Sequence, residues 1–158
     1  MQGMRRKDRE ITNMEEILAI VKKAKVCRVA MSDGEWPYVV PLNFGFSYEG
    51  GKLTLYFHSA GEGKKVAILR RNPKVCVELD VPGALQTGEV ACDFSCFYES
   101  VIGFGEACFL ESMEEKRVGL GRLMEHVTGS DSFPYSEAAI DRVTVFAVEL
   151  REVAGKRK

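Results

Sequence analysis

"KLTLYFHSAGEGKKVAILRRNP", Lys52 to Pro73, contains the change of period from which the fold can be read. Over its first seven residues, Leu53, Leu55 and Phe57 alternate with Thr54, Tyr56 and His58, the two-residue period of a strand with one apolar face. The leucine face is expected to point into a core. From about Glu62 to Arg71 the pattern becomes helical, and Asn72-Pro73 stops it, because the residue before proline is pushed out of the helical region. Between strand and helix lies "FHSAGEGKK", where Gly61 and Gly63 let the backbone approach a ligand and Lys64 and Lys65 place charge at a helix start. Unpaired N–H groups and the positive end of the helix dipole make that junction a plausible phosphate seat, with a solvated basic helix start as the bland alternative. It is not a P-loop, which would need glycine where His58 stands and Ser or Thr where Lys65 stands.

Strand signals continue on both sides. "VCRVAMS" and "PYVVPLNFGFSY" flank the turn "DGEW" and read as a hairpin, with Pro41 marking a bulge or an edge strand because it cannot donate to a ladder. "KVCVELDV", "ESVIGFGEACFLE" and "VTVFAVEL" add three more strands, with segment 82–97 read as a connection. The glycines of "GFG", 103 to 105, lack the strand, turn and helix context of a dinucleotide fingerprint and mark a bulge or a close approach. A first helix starts at Thr12 or Asn13 with a capping box to Glu15 or Glu16 and carries Ile17, Leu18, Ile20 and Val21. A third begins at Ser112 with Glu115 and ends at Gly129, and a short one lies in "YSEAAIDRV". Six strands linked mostly by short turns, with a few helices, predict a mainly β, α+β fold: an antiparallel barrel with helices outside.

The 158 residues, 46% hydrophobic, fit one domain over 1–158, with an arm at 1–10 and a solvated tail at 152–158. A net charge of −1 gives no basic field for nucleic acid, and no apolar run is long enough to cross a membrane or form a secretory signal, so a cytoplasmic protein is expected. Cys27, Cys76, Cys92, Cys96 and Cys108 are read as reduced core thiols, and their spacing predicts no metal site. Trp36 is read as a packing residue, His126 as a favourable charge at a helix C-terminus, and the basic run at 5–7, offset by Asp8 and Glu10, as a solvated arm.

In order and spacing, "YVVPLNFGF", "LYFHSAGEGKKVAILRRNPKVCVELD" and "YESVIGFGEA" together resemble the FMN-binding split-barrel superfamily of pyridoxamine 5′-phosphate oxidase. Within it the chain is most similar to the branch containing the 5-nitroimidazole resistance proteins, and "RRKDREIT" fits the same branch. The resemblance implies a six-stranded split barrel and a homodimer with FMN at the subunit interface. It implies that Ser59, Lys64 and Lys65 hold the flavin phosphate, with His58 beside the cofactor. Lys64-Lys65 replaces the usual Arg-Lys pair of the oxidases, keeping charge and losing the bidentate fork. It also implies that Val40, Pro41 and Asn43 lie along the isoalloxazine edge, and that Ser100 reaches the ring from the other subunit.

The activity so implied is NAD(P)H-dependent reduction of a small electron-poor acceptor such as a nitroaromatic or quinone, with His58 supplying a proton. The alternatives are a flavin carrier or electron-transfer protein, a haem-binding split barrel with His58 as ligand, and pyridoxamine 5′-phosphate oxidase itself. The last relies on an Arg-x-His element near the C-terminus, and this chain has Arg151 in "VELREVAGKRK" with no histidine.

Overall fold

The computed structural model describes residues 4–158. Its strands are β1 (Glu10–Ile11), β2 (Cys27–Asp33), β3 (Trp36–Leu42), β4 (Gly45–Glu49), β5 (Lys52–Ala60), β6 (Lys74–Gln86), β7 (Ser95–Leu110) and β8 (Val143–Arg157). Four helices, α1 (Met14–Lys23), α2 (Lys64–Arg71), α3 (Met113–Thr128) and α4 (Glu137–Arg142), complete the described elements, with short 3-10 turns at Lys7–Arg9 and Ala91–Asp93. No helix of the described residues is long and apolar enough to cross a membrane.

All pairings are antiparallel, in the order β3-β2-β6-β7-β8-β5-β4, with β1 added to β8. The two ends of that path, β3 and β4, are joined by Asn43 and Phe44 alone. Laid flat, six inter-strand steps would separate them by about 29 Å, whereas a two-residue link spans no more than about 11 Å. The sheet therefore curls until its ends meet. They meet without a ladder between them, which leaves a barrel split between β3 and β4.

Inside are the faces that alternation predicts. Leu53, Leu55 and Phe57 of β5 are buried with Val29, Val77, Leu79 and Val148, and Phe57 stacks on Phe146 at 5.0 Å between centroids. Truncating such a ring to alanine costs about 3–5 kcal/mol. Asn13 caps α1 by accepting from the amides of Glu15 and Glu16, but Glu16 turns to Arg157 instead of closing a capping box. The reciprocal Ser112–Glu115 box is present at the start of α3, and Gly129 closes its end in the left-handed conformation.

Several expectations are corrected. The run read as a single strand from Pro37 to Tyr48 is two strands at opposite ends of the sheet, because Gly45 tucks under α3: a Cβ there would run into the backbone of Arg122 and Leu123. Pro41 does lie on an edge strand. Segment 82–97 belongs largely to a long β6–β7 hairpin, bulged between Pro82 and Leu85, that projects from the barrel. The tail expected at 152–158 is strand through Arg157, held by Glu99 and Glu16 at 2.8 Å each. Of the cysteines only Cys27 is in the core; Cys76 is partly covered, and Cys92, Cys96 and Cys108 are exposed. Trp36 is 73% exposed on the edge strand and packs on nothing substantial. A bulge falls at Phe104/Gly105, as the glycines of "GFG" imply. Of the expected N-terminal arm, residues 1–3 lie outside the described residues; beyond them Arg6 pairs with Asp8 and Lys7 with Glu10.

Candidate functional site

Gly63 caps α2 with φ 138°, a backbone region that L side chains avoid, and a Cβ added there would meet nothing within 4 Å. No side chain caps the helix, and its first turn contains no acid. The first amides of α2 thus have no capping side chain, and the positive dipole end lies behind them.

Lys65 is partly covered by the fold and has no ion pair among the described residues; burial lowers its pKa from the ordinary 10.5. His58 projects from the outer face of β5 toward the same place. Much of its surface is open, yet partial burial of the ring, followed by the charge of Lys65, holds its pKa below 6.5. Two basic groups, one lowered by burial and the other by burial and its neighbour's charge, stand beside an uncapped helix start and lack one component, a negative charge. This donor set fits a phosphate or another oxyanion.

Lys64 behaves differently. Its Nζ lies 2.9 Å from an Asp33 carboxylate oxygen and 4.7 Å from the centroid of the Tyr38 ring. Asp33 also binds Arg71 at 2.8 Å, and the two cations hold its carboxyl below the usual carboxylate range. The pair Lys64-Lys65 is therefore split, one ammonium neutralised internally and the other free. Spacing gave no sign of Asp33, Tyr38 or Arg71 in this role, since Asp33 precedes Lys64 by a hairpin and two further strands.

The remaining predicted residues fall in different places. Ser59 follows Phe57 on the face of β5 opposite His58. Val40 turns inward opposite Val29, whereas Pro41 turns outward opposite Arg28. Arg28 is itself paired with Glu78 and Asp80 on that outer face. Asn43, just past β3, donates from Nδ2 to the Lys25 carbonyl at 3.2 Å. Ser100 lies on the outer face of β7, in register with Asp80 and Lys156. The register row through His58 reaches β7 at Leu110, ten residues from Ser100, or about 30 Å of strand. One copy of the chain does not bring Ser100 to His58.

The outer face of β5, with Thr54, Tyr56 and His58, is covered in part by the chain itself. Helix α3 covers Tyr56, with Gly119 in close approach to its ring, and Tyr56 Oη lies 3.1 Å from Ser47 Oγ. His126 is not a free charge at a helix end. Its Nε2–H donates to the Ala24 carbonyl at 2.8 Å, and its ring packs 4.5 Å from Phe44 and 5.3 Å from Phe46.

An antiparallel barrel split between its end strands, with a basic helix start directly after one of its strands, defines the class of split-barrel proteins. The family model for pyridoxamine 5′-phosphate oxidase matches residues 13–157. The chain belongs to that family. Among solved structures, a proposed 5-nitroimidazole antibiotic resistance protein from Bacteroides thetaiotaomicron is 37% identical over 94% of this chain and 86% of its own, with a TM-score of 0.82. The flavocytochrome Anf3 from Azotobacter vinelandii (19% identity, 99% and 72% of the chains, TM-score 0.82) shares the fold. So does an FAD- and haem-binding protein from Mycobacterium smegmatis (15% identity, 95% and 73%, TM-score 0.82). The comparison with curated proteins finds no match. The resemblance noted in the sequence, including its 5-nitroimidazole resistance branch, is borne out.

Proposed function

We propose that the protein is an FMN-dependent reductase that uses NADH or NADPH to reduce small electron-poor acceptors such as nitroaromatics. One observation carries this reading: partly covered Lys65, without an ion pair among the described residues, stands beside His58 at an uncapped helix start. The 37% identity to a proposed 5-nitroimidazole resistance protein supports the choice of acceptor.

When bound, FMN would supply the two-electron chemistry between nicotinamide and acceptor. The chain's own residues would bind and orient. Lys65 and the first amides of α2 seat the phosphate, Ser59 adds a hydroxyl from the end of β5, and Lys64 contributes through the field it shares with Asp33. Val40 and Pro41 would hold the ring edge through the backbone of β3, and Asn43 would offer its amide oxygen to a donor on the ring, its Nδ2 being occupied by Lys25. Ser100 is contributed by the second copy of a homodimer, in keeping with its distance from His58 in one copy. His58, neutral near pH 7, gains a proton readily once an anion binds beside it and passes that proton to the reduced acceptor. Pyridoxamine phosphate oxidation is disfavoured, because Arg151 is held by Glu106 at 3.1 Å and has no histidine neighbour in sequence.

The test is the absorption spectrum of protein purified without added cofactor, followed by release of the ligand by heat and its identification by mass spectrometry. FMN, together with acceptor-dependent oxidation of NADH or NADPH, would support the proposal. Released FMN without turnover would leave a carrier or electron-transfer protein. A released FAD or a Soret band would replace FMN with the ligands that the fold neighbours bind, and colourless protein that takes up no FMN would end the flavin reading.

A further inference from the structure

We infer that His126 is a positioning residue for the link Asn43-Phe44, which crosses the split of the barrel. No ladder joins β3 to β4, so side chains must set where that link lies. Two consecutive carbonyls at the exit of α1 are held by side chains. Ala24 accepts from His126 Nε2 at 2.8 Å, and Lys25 accepts from Asn43 Nδ2 at 3.2 Å. Phe44, next to Asn43, is fully buried with its ring 4.5 Å from the His126 ring, and the Phe46 ring stands nearly perpendicular to that imidazole at 5.3 Å. One imidazole thus fastens α3 to the end of α1 and to both sides of the residue that starts β4. Gly45, pressed against the backbone of α3, leaves the link no room to slide.

For the proposed flavin site, on which this inference builds, the consequence is directional. Nδ2 of Asn43 is tied to Lys25, leaving Oδ1 as the free acceptor, and His126 keeps that arrangement in place by holding the neighbouring carbonyl and Phe44. The cleft around the imidazole also contains Lys22 from α1, Lys25 just past its end, Glu49 from β4, and Arg122 and Glu125 from α3, the last three linked to one another through Arg122. Burial, with Lys25 adding to it, lowers the His126 pKa below 6.5 against the opposing effect of its bond to Ala24.

The experiment compares wild type with His126→Ala, His126→Gln and Asn43→Ala, reading amide hydrogen exchange at residues 44–46 and FMN affinity by fluorescence quenching. Glutamine replaces the donor without a titrating proton. His126→Ala is expected to speed exchange at the link by about tenfold, the scale of one lost hydrogen bond, with little change in β6 and β7. It should also weaken FMN binding as Asn43→Ala does. His126→Gln should restore both. Unchanged exchange at the link, an increase spread evenly over the chain, or failure of glutamine to restore protection would overturn the inference. Wild-type protein that binds no FMN would sink the flavin reading, while exchange at 44–46 would still decide the positioning role.

Discussion

The ammonium of Lys64 lies 2.9 Å from the carboxylate of Asp33, so adjacent lysines at one helix start have opposite circumstances. Lys65 should dominate anion binding. Lys65→Ala removes a charge-assisted contact of about 1.5–3 kcal/mol, a ~10- to 100-fold rise in Kd for FMN or inorganic phosphate. Lys64→Ala should cost well under about tenfold, since its charge is already paired. Asp33→Asn releases Lys64 and should tighten phosphate binding and steepen its salt dependence. Isothermal titration at two salt concentrations distinguishes these outcomes, and equal losses for the two lysines would refute the split.

His58 should report occupancy directly. Its pKa lies below 6.5 in the unliganded fold because of burial and Lys65. A bound phosphate opposes both effects, so the pKa should rise, and affinity should increase as pH falls from 7.5 toward 6. Titrating the His58 imidazole by NMR with and without phosphate checks the sign. A pKa unmoved by the ligand would place the anion elsewhere.

The histidines also set a pH dependence of folding. Both folded pKa values are depressed, so the unfolded chain binds more protons below the ordinary value of 6.5. Their contribution is complete above that pH and is lost as pH falls through the folded values. The urea midpoint should therefore decrease between pH 7.5 and 5.5, and the decrease should be smaller in a protein carrying His58→Gln and His126→Gln.

Ile102 and Phe104 are 42% and 41% exposed on the outer face of β7, beside Ser100. If this face forms the proposed homodimer, Ile102→Glu should yield a monomer by light scattering and should weaken FMN binding. The substituted residue lies about 25 Å along β7 from the row of His58, too far to act within one copy. A monomer retaining full affinity would mean that each copy builds its site alone.

Gly45→Ala should destabilise the protein by more than about 2 kcal/mol, because its Cβ meets helix backbone that cannot rotate away. Gly121→Ala, in the middle of α3 with nothing within 4 Å of the new Cβ, should instead stabilise by about 0.4–1 kcal/mol. Thermal unfolding of the two variants reads both signs.

What could be read in the sequence was what local chemistry determines. The alternation through Leu53, Leu55 and Phe57 survives because one face of β5 is buried and a slip of one residue would expose all three. The Ser112 cap and the Gly129 stop need only neighbours within a turn. The break after Leu42 was illegible, since Asn43 and Phe44 continue an apolar, strand-like run and only the backbone of α3, far along the chain, divides it. The same holds for the site. A basic helix start is visible as two lysines, but which of them is free depends on Asp33, and the final basic residues look solvated until Glu99 and Glu16 claim Arg157.

The position of β8 has a consequence for synthesis. Strand β8, made after all the other described strands, lies between β7 and β5 and also receives β1. Until it emerges, the nascent chain can form one sheet ending in β7 and a β4–β5 pair, each with a long unpaired edge. A ribosome paused before Val143 therefore presents two half-barrels with open edges, and the fifteen residues of β8 are what join them into one sheet.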